Sequence, residues 1–174
     1  MQKKLSGRGV SGVAVNSAGD IFITDSANGR IEVRDKNGKF KYQIDKFENK
    51  YKNELVSPTH PRINSKDELY VLDPLIGKAH RFNAQGDYLG SFGRVFLAAS
   101  GLAIDKYDRI YVIDMFFNAV QVFDRGGEIL FSLCDEKGEG LYIPYPTGLA
   151  VDNENLIYIG CNDGGWCVKV LEIK

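Results

Sequence analysis

Histidine occurs twice in 174 residues, tryptophan once and cysteine three times. Three cysteines, Cys134, Cys161 and Cys167, are too few and odd in number for a disulfide framework. His60 and His80 are not spaced to share a metal, and no Cys-x-x-Cys accompanies them. No stretch approaches the roughly 18 apolar residues of a membrane-spanning helix. The start, Met1-Gln-Lys-Lys-Leu-Ser-Gly-Arg-Gly, has charge but no apolar run after it, so it does not read as an export signal. The corresponding expectation is a soluble cytosolic chain if Met1 is the native start, and an exported one if the chain was cut from a longer precursor. Charge of one sign is also lacking, with 22 Lys+Arg against 23 Asp+Glu, which excludes a disordered acidic tail or a polybasic nucleic-acid arm. No Gly-x-Ser-x-Gly elbow, Ser-His-Asp arrangement or phosphate-cradling glycine loop is present. A 3.6-residue apolar period persists nowhere long enough for a helix.

What the sequence does hold is repetition. Gly12-Val-Ala-Val-Asn16, Gly101-Leu-Ala-Ile-Asp105 and Gly148-Leu-Ala-Val-Asp152 are copies of one segment, and His60-Pro-Arg-Ile-Asn64 is a degraded fourth, with starts 48, 41 and 47 positions apart. Nine residues into each copy comes a second run: Ile21-Phe-Ile-Thr-Asp25, Leu69-Tyr-Val-Leu-Asp73, Ile110-Tyr-Val-Ile-Asp114 and Ile157-Tyr-Ile-Gly-Cys161. A third run follows, beginning at Ile31, Ala79, Val120 and Val168. A fourth begins at Phe40, Tyr88 and Ile129, and the last copy has none. Each run is about five residues, rich in Val, Ile, Tyr and Phe, which is strand composition. Between runs lie Ser-Ala-Gly-Asp, Lys-Asn-Gly-Lys, Ala-Gln-Gly-Asp and Arg-Gly-Gly-Glu, turns in which Gly or Asn supplies positive φ. Four strands per repeat of about 40–45 residues, without helices, is the pattern of a propeller blade.

The order Pro-x-Gly-Leu-Ala-Val-Asp, Ile-Tyr-Val-x-Asp, Asn-x-x-Gln-Val-Phe-Asp, Gly-x-Ile-Leu resembles the NHL repeat, most closely over Gly101–Leu133. Gly138-Glu-Gly140 through Pro146-Thr-Gly148 is similar to that family's linker before a new blade. The resemblance implies an all-β fold, a β-propeller of four-stranded antiparallel blades. As a single domain over 1–174, its blades are expected at about 10–45, 58–93, 99–133 and 146–174. Such propellers usually close with six blades, so four inner and three outer strands imply a partial or incompletely closed assembly. Three completions are open: a fragment of a longer propeller, a four-bladed ring closed by the Lys4-Leu-Ser-Gly-Arg8 segment as the missing outer strand, or an arc whose end blades pair with another chain.

The residue types that carry chemistry read mostly as structure. Asp25, Asp73 and Asp114 end the second strand before a loop, where a short carboxylate caps backbone N–H groups. Asn16, Asn64, Asp105 and Asp152 recur at one repeat position. In six-bladed lactonases and lyases of similar fold such inner-strand oxygens bind a metal, yet repetition before a turn is also what a structural Asx turn produces. Cys161 and Cys167 flank a hairpin loop, where a bridge is geometrically possible, and the plainer reading is two ordinary strand thiols. No catalytic residue, metal or cofactor is therefore assigned.

Charge is unevenly placed. Residues 1–62 carry 12 basic and 7 acidic groups, net +5 (12 − 7), and the remainder 10 and 16, net −6 (10 − 16). Lys36, Lys39, Lys41, Lys46, Lys50 and Lys52 interleave with Tyr42, Phe47 and Tyr51, as an RNA-binding strip would, although lysine also protects exposed sheet edges and the latter reading is preferred. More unusual are the loops between second and third strands and the inter-blade linkers, which a propeller gathers on one face. They hold Leu75, Ile76, Met115, Phe116, Phe117 and Trp166, with Phe96, Tyr142 and Tyr145 from the linkers. Large apolar residues in place of polar turn residues point to a recognition surface. The expectation is a non-catalytic binding or scaffold module for a protein, peptide or apolar ligand, through Leu75, Ile76, Met115, Phe116, Phe117, Tyr142, Tyr145 and Trp166. Self-association through the end blades is a further possibility. The alternatives are a channel-metal lyase or hydrolase, and RNA binding through the Lys-rich first third.

Overall fold

The computed structural model describes residues 9–47, 53–93, 96, 98–116, 119–133, 141–162 and 164–172. These form strands and turns without a helix. The first sheet is β1 (Val10–Val15), β2 (Ile21–Asp25), β3 (Arg30–Arg34) and β4 (Phe40–Ile44), an antiparallel meander in that spatial order. A two-stranded ribbon, β5 (Lys46–Phe47) and β6 (Asn53–Glu54), follows; the strand pattern did not predict it. The second blade holds β7 (Thr59–Ile63), β8 (Leu69–Asp73), β9 (Lys78–Phe82) and β10 (Tyr88–Phe92). The third holds β11 (Ala99–Ile104), β12 (Ile110–Asp114), β13 (Ala119–Phe123) and β14 (Ile129–Leu133). The fourth has three strands among the described residues: β15 (Gly148–Val151), β16 (Leu156–Asn162) and β17 (Trp166–Glu172). These are the sheets of β-propeller blades, with four inner strands and three outer ones among the described residues, matching the runs read from the repeat. The Lys4–Arg8 segment and the Gly138–Gly140 linker lie outside the described residues.

The chain divides into two compact units at Ser91/Phe92. In the first unit, blade one turns Phe22, Ile31, Val33 and Ile44 onto Leu69, Val71 and Phe82 of blade two, with Leu55 between them. In the second unit, Ala103, Tyr111, Ile113, Val120 and Val122 of blade three meet Leu149, Ile157, Ile159 and Cys161 of blade four, and Ile143 joins them. Within each unit the pattern is the same: alternate residues of the earlier blade point to the later one, whose residues at the intervening positions point back.

The small residue opening each inner strand now has a local cause. A Cβ on Gly12 would lie 2.4 Å from Pro61 Cδ, and one on Gly101 3.1 Å from Leu149 Cβ, so each glycine makes room for the neighbouring inner strand. A Cβ on Gly148, the same position in blade four, meets nothing within 4 Å. Blade two departs from the pattern as its sequence suggested. His60 takes φ +51° and Thr59 pairs with Leu72 while Arg62 pairs with Tyr70, so two residues face one across a bulge that seats the buried Pro61.

Candidate functional site

The repeated inner-strand oxygens are engaged in turns. Asn64 Oδ1 accepts from the amides of Lys66 and Glu68, Asp105 Oδ1 from Tyr107 and Arg109, and Asp152 Oδ1 from Glu154 and Leu156, all at 2.8–2.9 Å. Asn16 Oδ1 accepts from Asp20. These are Asx turns, and the residue before the turn's end takes positive φ at Gly19, Asp67, Asp108 and Asn155. The second carboxylate oxygen reaches a tyrosine six residues on: Asp105 Oδ2 accepts from Tyr111 Oη at 3.0 Å and Asp152 Oδ2 from Tyr158 Oη at 2.9 Å. Burial, then the Asp105 bond, raises the Tyr111 phenol; the leading effect on Tyr158 is the bond to Asp152. Blade one carries Phe22 at this place and so lacks the hydroxyl. The amides of Leu156 and Glu154 in turn hold Asp152 below the usual carboxylate range. Four oxygens spent in this way cap turns, and among the described residues no group of three or more His, Cys, Asp or Glu is placed to hold a metal ion.

Asp73 and Asp114 cap as predicted: Asp73 accepts from the amides of Val56 and Ser57, and Asp114 from that of Phe116. Asp25 differs, accepting from Asn28 Nδ2 and from Arg30 Nε, the latter an ion pair at 3.1 Å. In blade four Cys161 replaces this aspartate, and here the reading of two thiols is overturned. Cys161 and Cys167 are direct cross-strand partners with Cα atoms 5.0 Å apart and are joined by a disulfide. The spacing alone did not reveal it, because only the β16–β17 register places the two side chains opposite one another. Cys134 lies outside the described residues.

The two histidines are separate features of blade two. His80 is buried against Phe82 and Tyr88, with ring centroids 6.4 and 6.0 Å away, and burial pulls its imidazole down to about 4. His60 is also lowered, first by burial and then by Arg62. The lysine strip is only partly described. Lys41 pairs with Asp20 at 2.6 Å, whereas Lys50, Tyr51 and Lys52 lie outside the described residues.

The apolar loop residues behave differently. In the first unit Leu75 is 74% exposed, with Ile76 and Val56 also exposed at the same end of blade two. In the second unit Phe116, Tyr142, Tyr145 and Trp166 are 64, 69, 73 and 86% exposed, and Met115 is half-buried. Phe117 lies outside the described residues. Phe96 is a correction: it is buried, edge-on to Phe92 and Phe123, and closes the core between strands.

The second-unit residues share one end of adjacent blades. Met115 and Phe116 follow β12, Trp166 begins β17 after the β16 turn, and the 141–147 linker runs past them. The Met115 amide donates to Ala98 O and the Asn162 amide to Pro144 O at 3.1 Å, tying each loop to the linker before its blade. Lys169 Nζ donates to Tyr142 O and lies 5.0 Å from the Tyr142 ring centroid. Tyr145 adopts φ +44°, a left-handed conformation that costs a bulky residue of order 1–3 kcal/mol. A strained backbone that holds an aromatic ring in solvent was not legible in the sequence.

Comparison with known proteins places this geometry. Residues 8–33 match the family model for the NHL repeat. The chain is 32% identical over 123 residues to Protein brain tumor of Drosophila melanogaster, covering 69% of this chain and 12% of that protein. It is 32% identical over 124 residues to the B-box type zinc finger protein ncl-1 of Caenorhabditis elegans, covering 69% and 14%. It thus spans about one-eighth of the length of these relatives. Among solved structures, the β-propeller domain of Cps50 (Swd1) from Myceliophteria thermophila superposes with a TM-score of 0.70 at 12% identity, over 95% of this chain and 54% of that one.

Proposed function

This chain carries the NHL repeat and folds it into β-propeller blades, and from that premise we propose that it is a non-catalytic binding module. It recognises a protein or peptide partner through the loop end of blades three and four. The observation that carries the reading is the exposure of Phe116, Tyr142, Tyr145 and Trp166 at one end of adjacent blades, on loops each tied to the linker before its blade, with Tyr145 held out on a left-handed backbone. Aromatic side chains bring large contact area at low entropy cost, and they dominate binding energy where they are desolvated. Leu75 and Ile76 give blade two an apolar loop of the same kind.

The test is selection of a random-peptide display library on the purified chain, followed by affinity measurement of the recovered peptides. Phe116→Ala and Trp166→Ala each weaken binding by about 2 kcal/mol, roughly thirtyfold, as truncated anchors do. Tyr145→Gly weakens binding while raising stability by about 1 kcal/mol, because glycine adopts positive φ without strain. Peptides whose affinity is indifferent to all three changes refute the reading.

A further inference from the structure

The chain holds two Asn-Gly pairs, Asn28-Gly29 in the turn before β3 and Asn37-Gly38 in the turn after it. This dipeptide forms turns, and it is also chemically labile. Glycine has no side chain to shield its backbone nitrogen, so that nitrogen can close a five-membered ring on the carboxamide carbon of the asparagine before it. Both asparagines are exposed, so access to solvent does not separate them. They differ in what holds the carboxamide and in what surrounds the turn.

Asn28 is restrained. Its Nδ2 donates to both oxygens of the buried Asp25 carboxylate, at 2.9 and 2.8 Å. The turn is packed as well: a Cβ on Gly29 would lie 2.6 Å from Leu55 O and 3.3 Å from Val56 O. Ring closure there has to break charge-assisted bonds and swing the carboxamide within a turn already in contact with the linker to blade two. Asn37 has neither restraint. Among the described residues its carboxamide makes no hydrogen bond, and Asp35 Oδ1 takes the backbone amides of Asn37 and Lys39 instead, at 2.9 and 2.8 Å. A Cβ on Gly38 would meet nothing within 4 Å, so this turn stands in open space. One bond opposes the reaction, from the Gly38 amide to Asp35 O at 2.8 Å. It is a neutral backbone bond, weaker than the pair that Asn28 makes to a carboxylate. Asn16 and Asn64, each followed by serine, are also held, Asn16 Oδ1 by the Asp20 amide and Asn64 Nδ2 by the Glu68 carboxylate.

We propose that Asn37 is a site of spontaneous modification, at which the β3–β4 turn exchanges an amide for an acid without an enzyme. The Gly38 nitrogen bonds to Asn37 Cγ, the Cγ–Nδ2 bond breaks, and Nδ2 leaves as ammonia with the proton of the Gly38 amide. Water then opens the cyclic imide. Addition at Cγ gives aspartate. Addition at the main-chain carbonyl of residue 37 gives isoaspartate, with the backbone routed through Cβ and Cγ. Either product sets a new carboxylate between Lys36 and Lys39, and the isoaspartate lengthens the turn by one backbone atom. The site lies in blade one and is independent of the loop-face reading.

The folded chain is aged in mildly alkaline buffer beside a sample kept unfolded in urea. Each is cut at arginine, which puts Asn28 in 9–30 and Asn37 in 35–62. Fragment mass spectrometry locates each amide-to-acid exchange, and methyl transfer by an isoaspartyl methyltransferase counts the isoaspartate. In the folded chain Asn37 reacts roughly tenfold or more faster than Asn28, which has its bonds to a carboxylate to break. In urea those bonds are gone and the two rates converge. Asn37→Gln, a change at an exposed turn, abolishes the acid at that position, because the larger ring closes slowly. A folded-state ratio no larger than the ratio in urea overturns the proposal. So does a folded chain that forms no acid at residue 37.

Discussion

Acid should weaken this fold well above the carboxylate range, and the cause is His80. Its ring is 2% exposed between Phe82 and Tyr88, and burial lowers its pKa from 6.5 to about 4, the Asp73 carboxylate opposing and Lys78 assisting the shift. The folded state thus binds a proton less readily than the unfolded chain. Stability is complete above pH 6.5 and declines as pH falls toward 4, because only the unfolded state is protonated in that window. With these two values the loss is about 2 kcal/mol at pH 5 and about 3 kcal/mol at pH 4. Asp35, Asp67 and Asp152 all have lowered pKa values, so their contributions disappear only below the ordinary carboxylate value of 3.8, outside the histidine window. His60 is lowered too and adds to the same slope. The assay is urea unfolding followed by far-UV circular dichroism at intervals from pH 7.5 to 4.5, on the native chain and on His80→Phe. The variant should lose most of the slope whatever its stability at neutral pH. A native chain whose stability is flat across the window, or a variant with an unchanged slope, would refute the reasoning.

The glycines give a paired prediction. Gly12→Ala drives a Cβ to 2.4 Å from Pro61 and should cost about 1–3 kcal/mol, whereas Gly148→Ala, with nothing within 4 Å, should be close to neutral; equal urea midpoints would contradict the blade-packing rule. The disulfide closes a short loop, with a sequence separation of 6, and by chain entropy its reduction by a dithiol should cost about 2 kcal/mol. Thiol titration of the denatured, unreduced chain should find one free thiol of three (3 − 2), and three free thiols would refute the bridge.

Much of the fold was legible because each strand and turn carries its own local signal. The five-residue β-branched and aromatic runs became strands within a residue or two of where they were read, and the glycines at 19, 38, 86 and 127 take the positive φ their turns need. Asn64, Asp105 and Asp152 were readable as turn caps for the same reason, since an Asx turn closes within four residues. The second acceptor role, Asp105 to Tyr111 and Asp152 to Tyr158, was missed, although its constant six-residue spacing is present in the chain. The β5–β6 ribbon has two-residue strands, too short to show a period.

The loop face shows the limit more plainly. Phe96 and Tyr145 looked alike in sequence, aromatic residues in linkers. One closes the core beside Phe92 and Phe123, and the other is held in solvent on a left-handed backbone. Composition cannot separate them, because the difference lies in what each ring meets across the fold.

The sequence by itself determined the all-β blade architecture, the number of inner and outer strands and the turn chemistry, since all of these follow from periodicity and short-range hydrogen bonding. Tertiary structure alone decided that Cys161 faces Cys167, that Gly12 and Gly101 make way for a neighbouring blade while Gly148 does not, and that Val168 and Val170 of β17 are exposed where Val120 and Val122 of β13 are buried. Each of those depends on register or on the presence of a neighbouring blade, quantities set by contacts between residues distant in the chain.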